Sequence, residues 1–358
     1  MHFAFSDQQT EFRDTVRQVL AKECTTDDLR AAFEHPSAHT LRWDVLADLG
    51  VVGLTVPEAH GGLGLGLVDL VLLLEEAGRV SLPEPLLETT GLVAPLLTGL
   101  VRTAGSDVAA VAAPWLDGIA EGRVTATVGA TTALRAPIAG ADGNDLLVLC
   151  TSGDDGPEIH VVDAAVVTVR SVSSLDPTRR LGIPHWSPTA ETRVLSGPDA
   201  DSAWRLTRDR AAVVTAASLL GLADRMISMT ADYAKARQQF GKPIGSFQAV
   251  KHLLAGAQVR LEFARPVVYG AAWSLDHSRP KASSEVSRAA STAKAYASDA
   301  ATEAARVSLQ IHGAIGYTWE CDLHLFLKRA WALAEAWGSS DDHRSFVLAS
   351  LVDPAARD

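Results

Sequence analysis

Cysteine is scarce in this chain: three residues among 358, at positions 24, 150 and 321, with no Cys-x-x-Cys pair. An odd number at such wide spacing is typical neither of a disulfide framework nor of a zinc or redox motif. We therefore expect three small buried side chains in a reducing compartment, and no metal site.

Long apolar runs are also missing. The longest, residues 70–74 and 92–100, are bounded or broken by charge, glycine or proline. Both are far shorter than the roughly 20 residues that span a bilayer. The N-terminus carries Asp7, Glu11 and Arg13 and cannot be the apolar core of a signal peptide. We expect a soluble cytoplasmic protein with no membrane contact.

The chain has fewer basic than acidic residues. Lys and Arg together number 32 against 43 Asp and Glu, which gives a net charge of -11. Nucleic acids and anionic membranes attract basic proteins, so neither is an expected partner. The chain is 47% hydrophobic and 21% charged, a globular composition with ample material for a core.

The patterning predicts a mainly α protein with a small β domain. Residues 1–121 form an N-terminal helical domain, starting at a Ser6–Gln9 capping box. Short β-rich runs between turn residues mark a middle β domain over 122–198. Helical periodicity then returns, with Leu219, Leu222 and Met226 on one stripe, and predicts a C-terminal four-helix bundle over 199–358.

Two C-terminal segments contain specific sequence motifs. Arg-Gln-Gln-Phe-Gly-Lys-Pro-Ile occupies residues 237–244, with Gln248 soon after, and Gln-Ile-His-Gly-Ala-Ile-Gly-Tyr occupies 310–317. In this order and separation they resemble the C-terminal signatures of the acyl-CoA dehydrogenase family. The Pro57-Glu58 to Gly64 loop and the Glu75-Glu76 pair are similar to that family as well. The resemblance covers nearly the whole chain.

The resemblance implies FAD as cofactor and an acyl-CoA thioester as substrate. In the family, the arginine of the first motif reaches FAD bound mainly by a neighbouring subunit, and the aromatic beside it packs on the cofactor. A guanidinium suits a pyrophosphate because it donates bidentate hydrogen bonds. Glycine in the second motif lets the backbone approach the adenosine end. The predicted cofactor contacts are Arg237, Gln239, Phe240, Gln248, Gln310, Gly313 and Ala314, the last replacing a family glycine.

A structural role is the alternative for these residues. Arg237 could complement the negative end of a helix, and Phe240 could belong to the core.

The family's catalytic base does not appear. The resemblance implies a Glu before a Gly about twenty residues after the second motif, where this chain has Trp337 before Gly338. The family's other base position aligns with Ala211. Neither side chain accepts a proton, so no catalytic residue is predicted. The Glu-Pro-Gly loop that packs beside the flavin in active members is also absent from residues 126–132.

Three hypotheses remain. The chain is a non-catalytic partner subunit of an α2β2 acyl-CoA dehydrogenase, of the kind that degrades steroid side chains, with electron-transfer flavoprotein as acceptor. Alternatively it is a self-contained homo-oligomeric dehydrogenase with a relocated base, for which Glu335 is the candidate; Asp341 and Asp342, nearby, are expected to be solvated surface charges. A third hypothesis is a non-redox scaffold or binding protein.

Overall fold

The computed structural model describes residues 4–36, 42–103, 105–131, 136–277 and 283–352. Helices come first, then short strands, then long helices, which confirms the predicted order. The N-terminal helices are α1 Asp7–Glu23, α2 Thr26–Glu34, α3 Trp43–Asp48, α4 Leu67–Arg79, α5 Leu86–Glu88, α6 Ala94–Thr103 and α7 Ser106–Ala120. The strands are β1 Ala126–Ala130, β2 Leu146–Gly153, β3 Gly156–Asp163, β4 Thr168–Ser171, β5 Gly182–His185 and β6 Arg193–Ser196. There follow α8 Gly197–Ala236, β7 Gln238–Gln239, β8 Lys242–Pro243, α9 Gln248–His277, α10 Ser284–His312, α11 Leu323–Glu335 and α12 Ser340–Val352.

The capping box predicted for α1 is present. Gln9 N donates to Ser6 Oγ at 3.2 Å, and Ser6 N donates to Gln9 Oε1 at 2.8 Å. These two bonds satisfy backbone donors that the first turn of a helix leaves without partners. Val16 and Leu20 then bury one side of the helix.

The small β region is built on a sheet that, within the described residues, has the order β1-β2-β3-β6. β1 runs parallel to β2, whereas β2 and β3 form an antiparallel hairpin. The hydrophobic cluster on this sheet comprises Ile138, Ala141, Leu147, Leu149 and Val162.

The cysteine prediction holds for one residue of three. Cys150 is buried in β2, and burial raises the pKa of its thiol to about 11. Cys24 and Cys321 are only half-buried, so the expectation of full burial is wrong for them. Cys24 directly follows α1, and Cys321 lies two residues before α11, so each is in a connection between helices rather than inside one.

By internal packing the chain divides into two units. One comprises Met1–Arg30, Val71–Leu82 and Ala212–Asp358, and the other Ala31–Leu70 and Pro83–Ala211. Both predicted domain boundaries lie within the second unit, and the division into three domains stays a prediction.

Within the first unit, α4 and α8 cross at their glycines. A Cβ added to Gly78 would lie 2.1 Å from Ser218 O, and one added to Gly221 would lie 1.8 Å from Glu75 O. The two backbones therefore touch, which only residues without a side chain allow.

The long helices of this unit bury alanine-rich faces, as the sequence predicted. On α10 the buried positions include Ala290, Ala293, Ala297, Ala300 and Ala304. Within the described ranges, α8 is long and apolar enough to cross a membrane by composition. However, 78% of its most apolar window is buried inside the protein, as in the core helix of a globular domain.

Candidate functional site

The first sequence motif forms a tight hairpin directly after α8. Gln238 pairs with Pro243 and Gln239 with Lys242, which leaves Phe240 and Gly241 as the turn. Their φ values are 51° and 76°, the left-handed pair that a type I′ hairpin turn requires. Arg237, at the base of the hairpin, is fixed through its backbone: its N–H donates to Tyr233 O and its carbonyl accepts from Ile244 N, both at 2.8 Å.

Phe240 is the most exposed large apolar side chain described, with 91% of its surface accessible. It is not a core residue, so that alternative is wrong. A left-handed backbone is also unfavourable for a residue with a Cβ, by roughly 1–2 kcal/mol. Its ring meets that of Phe247 edge-on at 6.1 Å, and Lys242 Nζ lies 4.5 Å from the Phe247 ring centre. A strained, exposed aromatic is typical of a residue that awaits a ligand or a partner.

The other predicted contacts of this motif are exposed too. Arg237, Gln239 and Gln248 are all accessible, and Gln248 is the first residue of α9. Lys242, which sequence reasoning did not select, adds a second exposed cation to the same hairpin. Its place inside the quoted motif was the signal that could have found it. The hairpin thus presents two cations, an aromatic ring and amide groups, a donor set that suits a pyrophosphate and a flat ring system.

The second motif lies where α10 ends. Gly313 has a φ of 63°, and its N–H donates to Leu309 O, the last hydrogen bond of the helix. A Cβ added here would meet nothing within 4 Å, and the same holds at Gly241. Gln310 and Ala314 are exposed on either side. The backbone at Gly313 is therefore open to close approach by a ligand, as the FAD prediction needs.

Two aromatic rings bring the motifs together. Tyr233, on the last turns of α8, stacks on His312 at the end of α10, with ring centres 4.3 Å apart and planes 18° from parallel. Nearby, Ser308 Oγ donates to Met226 O at 3.2 Å. Arg237 follows Tyr233 by one helical turn and Gly313 follows His312 directly. Sequence reasoning missed this pair, because neither residue belongs to a pattern that reveals the contact.

His312 is held in a neutral form. Its ring is buried, and burial lowers its pKa. Nδ1 lies 2.8 Å from Ser308 O and donates to that carbonyl. The stack therefore adds no positive charge near the motifs at neutral pH.

The positions expected for a catalytic base contain none. Ala211 is fully buried within α8, and Trp337 follows α11 with a φ of 62°. Glu335 and Asp341 are exposed, and Asp342 caps α12, accepting from Ser339 Oγ at 2.7 Å and Ser339 N at 2.9 Å. Those hydrogen bonds lower the pKa of Asp342. The carboxylates near this turn are thus solvated, as expected.

The two glutamates of the N-terminal motif hold helices together. Glu75 accepts from Arg265 Nε at 3.0 Å and from Tyr269 OH at 2.5 Å. Glu76 accepts from Arg17 Nε at 2.8 Å. Both carboxylates are buried and paired, so α4 is bound through them to α9 and α1. Their role here is structural.

The N-terminal glycine loop also has a structural explanation. A Cβ on Gly62 would lie 2.1 Å from Val56 O, and Gly61 and Gly64 have φ values of 80° and 62°. In the flavin-side stretch of the β region, residues 126–130 form the buried strand β1. Thr132, the last residue of that stretch, lies outside the described residues.

Comparison with known proteins decides the family. A model of the acyl-CoA dehydrogenase N-terminal domain matches residues 6–123, and one of the C-terminal domain matches residues 202–352. The chain belongs to the acyl-CoA dehydrogenase family. It is 34% identical to acyl-CoA dehydrogenase IpdE2 of Mycobacterium tuberculosis over 331 residues, which cover 92% of each chain. It is 32% identical to IpdE2 of Mycolicibacterium smegmatis, over 93% of this chain and 95% of that protein.

Solved structures of acyl-CoA dehydrogenases share the fold. The Tcur3481-Tcur3483 steroid dehydrogenase variant matches with a TM-score of 0.82 and 27% identity, over 98% of this chain and 99% of that one. Butyryl-CoA dehydrogenase of Megasphaera elsdenii matches with a TM-score of 0.83 at 19% identity, over 99% and 100%. The predicted recognition and fold class are confirmed. FAD is confirmed as the family's cofactor, since an FAD complex is among the solved members.

Proposed function

We propose that this chain is the non-catalytic partner subunit of an FAD-dependent acyl-CoA dehydrogenase, joined to a catalytic subunit in an α2β2 assembly. It supplies FAD contacts across the interface from Arg237, Gln239, Phe240, Gln248, Gln310, Gly313 and Ala314. FAD held by these residues and the partner would supply the two-electron acceptor for α,β-desaturation of a CoA thioester. The partner subunit supplies the carboxylate that removes the α-proton, and electron-transfer flavoprotein takes the electrons.

One observation carries the proposal. The predicted cofactor contacts that bear side-chain donors or rings are exposed on this chain, whereas both family positions for a base hold residues that cannot accept a proton. Contacts that act on a cofactor bound by another subunit must face outward. Loss of the base with retention of these outward contacts is what a partner subunit requires.

The acyl group is proposed from the relatives. Structures similar to this chain include a steroid acyl-CoA dehydrogenase and the ChsE4-ChsE5 complex of Mycobacterium tuberculosis, the latter at 23% identity and a TM-score of 0.83. On that basis we propose a steroid side-chain CoA thioester as the substrate of the assembly. A cytoplasmic location, predicted from the free cysteines and the charged N-terminus, is part of the same proposal.

The two alternatives have less support. A relocated base at Glu335 would have to lie against a thioester α-carbon, shielded from solvent. This side chain is instead exposed to solvent. A non-redox scaffold has no use for a strained, solvent-facing Phe240 beside two cations.

Co-purification tests the proposal. The chain is expressed alone and together with a dehydrogenase subunit encoded beside it, and flavin content, subunit ratio and acyl-CoA oxidation are measured. We expect little flavin and no turnover alone, and a yellow one-to-one complex with activity when both are present. A yellow homotetramer with one FAD per chain, reduced by an acyl-CoA, would establish the self-contained enzyme instead.

A further inference from the structure

Lys294 is the largest fully buried side chain described, with 0% of its surface exposed. It lies on the alanine-rich face of α10, between Ala290 and Ala297, where water cannot solvate an ammonium group. A buried charge is retained in a folded protein only when it is hydrogen-bonded or paired. The contacts of Lys294 therefore indicate what the residue does.

Those contacts surround the turn after α11. Lys294 Nζ donates to Ala334 O at 2.7 Å, to Gly338 O at 3.0 Å and to Ser298 Oγ at 3.1 Å. Ala334 lies in the last turn of α11, where carbonyls lack intrahelical partners and the helix dipole favours a cation. A single ammonium thus binds the chain on both sides of Trp337.

The bound turn is strained. Trp337 has a φ of 62°, a conformation that disfavours any residue with a Cβ. Gly338 follows with a φ of 108°, and His343 Nε2 lies 3.1 Å from Trp337 O. Such a backbone persists only where its surroundings impose it. Hydrogen bonds to Lys294 and His343 are among the interactions that hold it.

We propose that Lys294 is the positioning residue of position 337. Its ammonium fixes the carbonyls of Ala334 and Gly338, imposes the left-handed backbone between them, and so sets the direction of the indole. This rests on the proposed function in one respect: Trp337 occupies the place of the family's base. The indole at this position is then fixed in one direction rather than mobile.

Hydrogen exchange of the full-length chain, in the assembly in which it purifies, tests the first half of this inference. Lys294→Met removes a donor from one buried and one partly buried carbonyl, so exchange of the amides of residues 335–339 should quicken by about tenfold or more. The matched control is Lys22→Met, which removes an exposed ammonium and should change nothing in the turn. Unchanged exchange of the turn in folded Lys294→Met protein would overturn the proposal.

A second substitution separates positioning from general packing. Glycine adopts the left-handed backbone without strain, so in a Trp337→Gly background the effect of Lys294→Met should shrink to about threefold or less. An equal increase in both backgrounds would mean that Lys294 merely fills space. The near-ultraviolet circular dichroism of Trp337, defined by difference from Trp337→Phe, should also vanish in Lys294→Met.

Two variants keep the test decisive if Lys294→Met does not fold. Lys294→Gln retains amide donors and should show an intermediate effect. With Lys294 intact, Trp337→Gly should exchange more slowly in the turn than Trp337→Ala, and equal exchange would overturn the proposal. None of these readouts depends on flavin or turnover. A chain that proved to be a self-contained enzyme would overturn the proposed function and leave this result standing.

Discussion

Arg237 makes no ion pair among those found in the described part of the chain, and its side chain is exposed, so changing it costs the fold little. Replacing it by alanine should remove a charge-assisted contact worth roughly 1.5–3 kcal/mol, or about ten- to a hundredfold in FAD affinity of the assembled complex. Arg237→Lys should recover only part, because an ammonium cannot form the bidentate fork. Flavin titration of the complex measures both.

Arg205→Ala provides the control for this comparison. Arg205 is also an exposed arginine of α8, paired with Asp201 at 3.3 Å, and its loss should leave flavin affinity unchanged. Full flavin content in Arg237→Ala complexes would contradict the clamp across the interface.

His324 makes the stability of the chain sensitive to acid. Burial, and after it the charges of Lys328 and Arg30, lower its pKa from 6.5 to about 4. The unfolded chain takes up this proton below pH 6.5, whereas the folded chain resists until about pH 4. The free energy of unfolding should therefore fall as pH drops through that window, by about 3 kcal/mol from this group.

Denaturant titrations between pH 4 and 7 measure the effect. His324→Gln should flatten the pH dependence, whatever it does to stability at pH 7. His252→Gln, which alters an exposed histidine, should keep the wild-type slope. Equal slopes in wild type and His324→Gln would show that His324 is not the group responsible.

At the scale of elements, the hairpin of β7 and β8 combines strain with exposure. Phe240→Asn keeps a residue that tolerates the left-handed backbone but removes the ring. We expect the melting temperature to hold or rise slightly while the affinity of the complex for FAD falls. Opposite signs for stability and affinity indicate a residue kept for binding. A fall in both, with the hairpin shown to be disordered, would point to a structural role through Phe247.

The elements themselves were largely predictable. The start of α1 at the Ser6–Gln9 capping box and the change from helices to strands and back were predicted, because capping residues, turn residues and hydrophobic periodicity mark them. The left-handed turn at Phe240 was not, since phenylalanine gives no local signal for a positive φ. The Tyr233–His312 stack and the contacts of Lys294 could not be predicted either. Contacts such as Lys294 to Gly338 join residues far apart in sequence, and only tertiary packing decides them.

At the scale of the whole molecule, restoring one catalytic carboxylate should not be enough to give the isolated chain activity. Trp337→Glu places a carboxylate at the family's base position, but the Glu-Pro-Gly loop beside the flavin is still missing from the β region. We therefore expect no acyl-CoA-dependent flavin reduction in the isolated Trp337→Glu chain beyond that of wild type. Stopped-flow absorbance with added FAD measures this.

Glu335→Gln in the assembled complex is the companion test. Turnover should stay within a few-fold of wild type, because the side chain is exposed to solvent. A loss of several orders of magnitude, with folding and flavin content intact, would make Glu335 the relocated base and favour the self-contained enzyme.

The crossing of α4 and α8 limits how such a subunit can diverge. Under the proposed function the chain needs no proton acceptor at positions 211 and 337, so both positions are free of that requirement. Gly78 and Gly221 have no such freedom, because even one methyl group would force apart the backbones of α4 and α8. In a deep mutational library, Gly78 and Gly221 should tolerate fewer substitutions than positions 211 and 337. At these two glycines the spacing of the helices, rather than contact with a ligand, limits which residues the chain can accept.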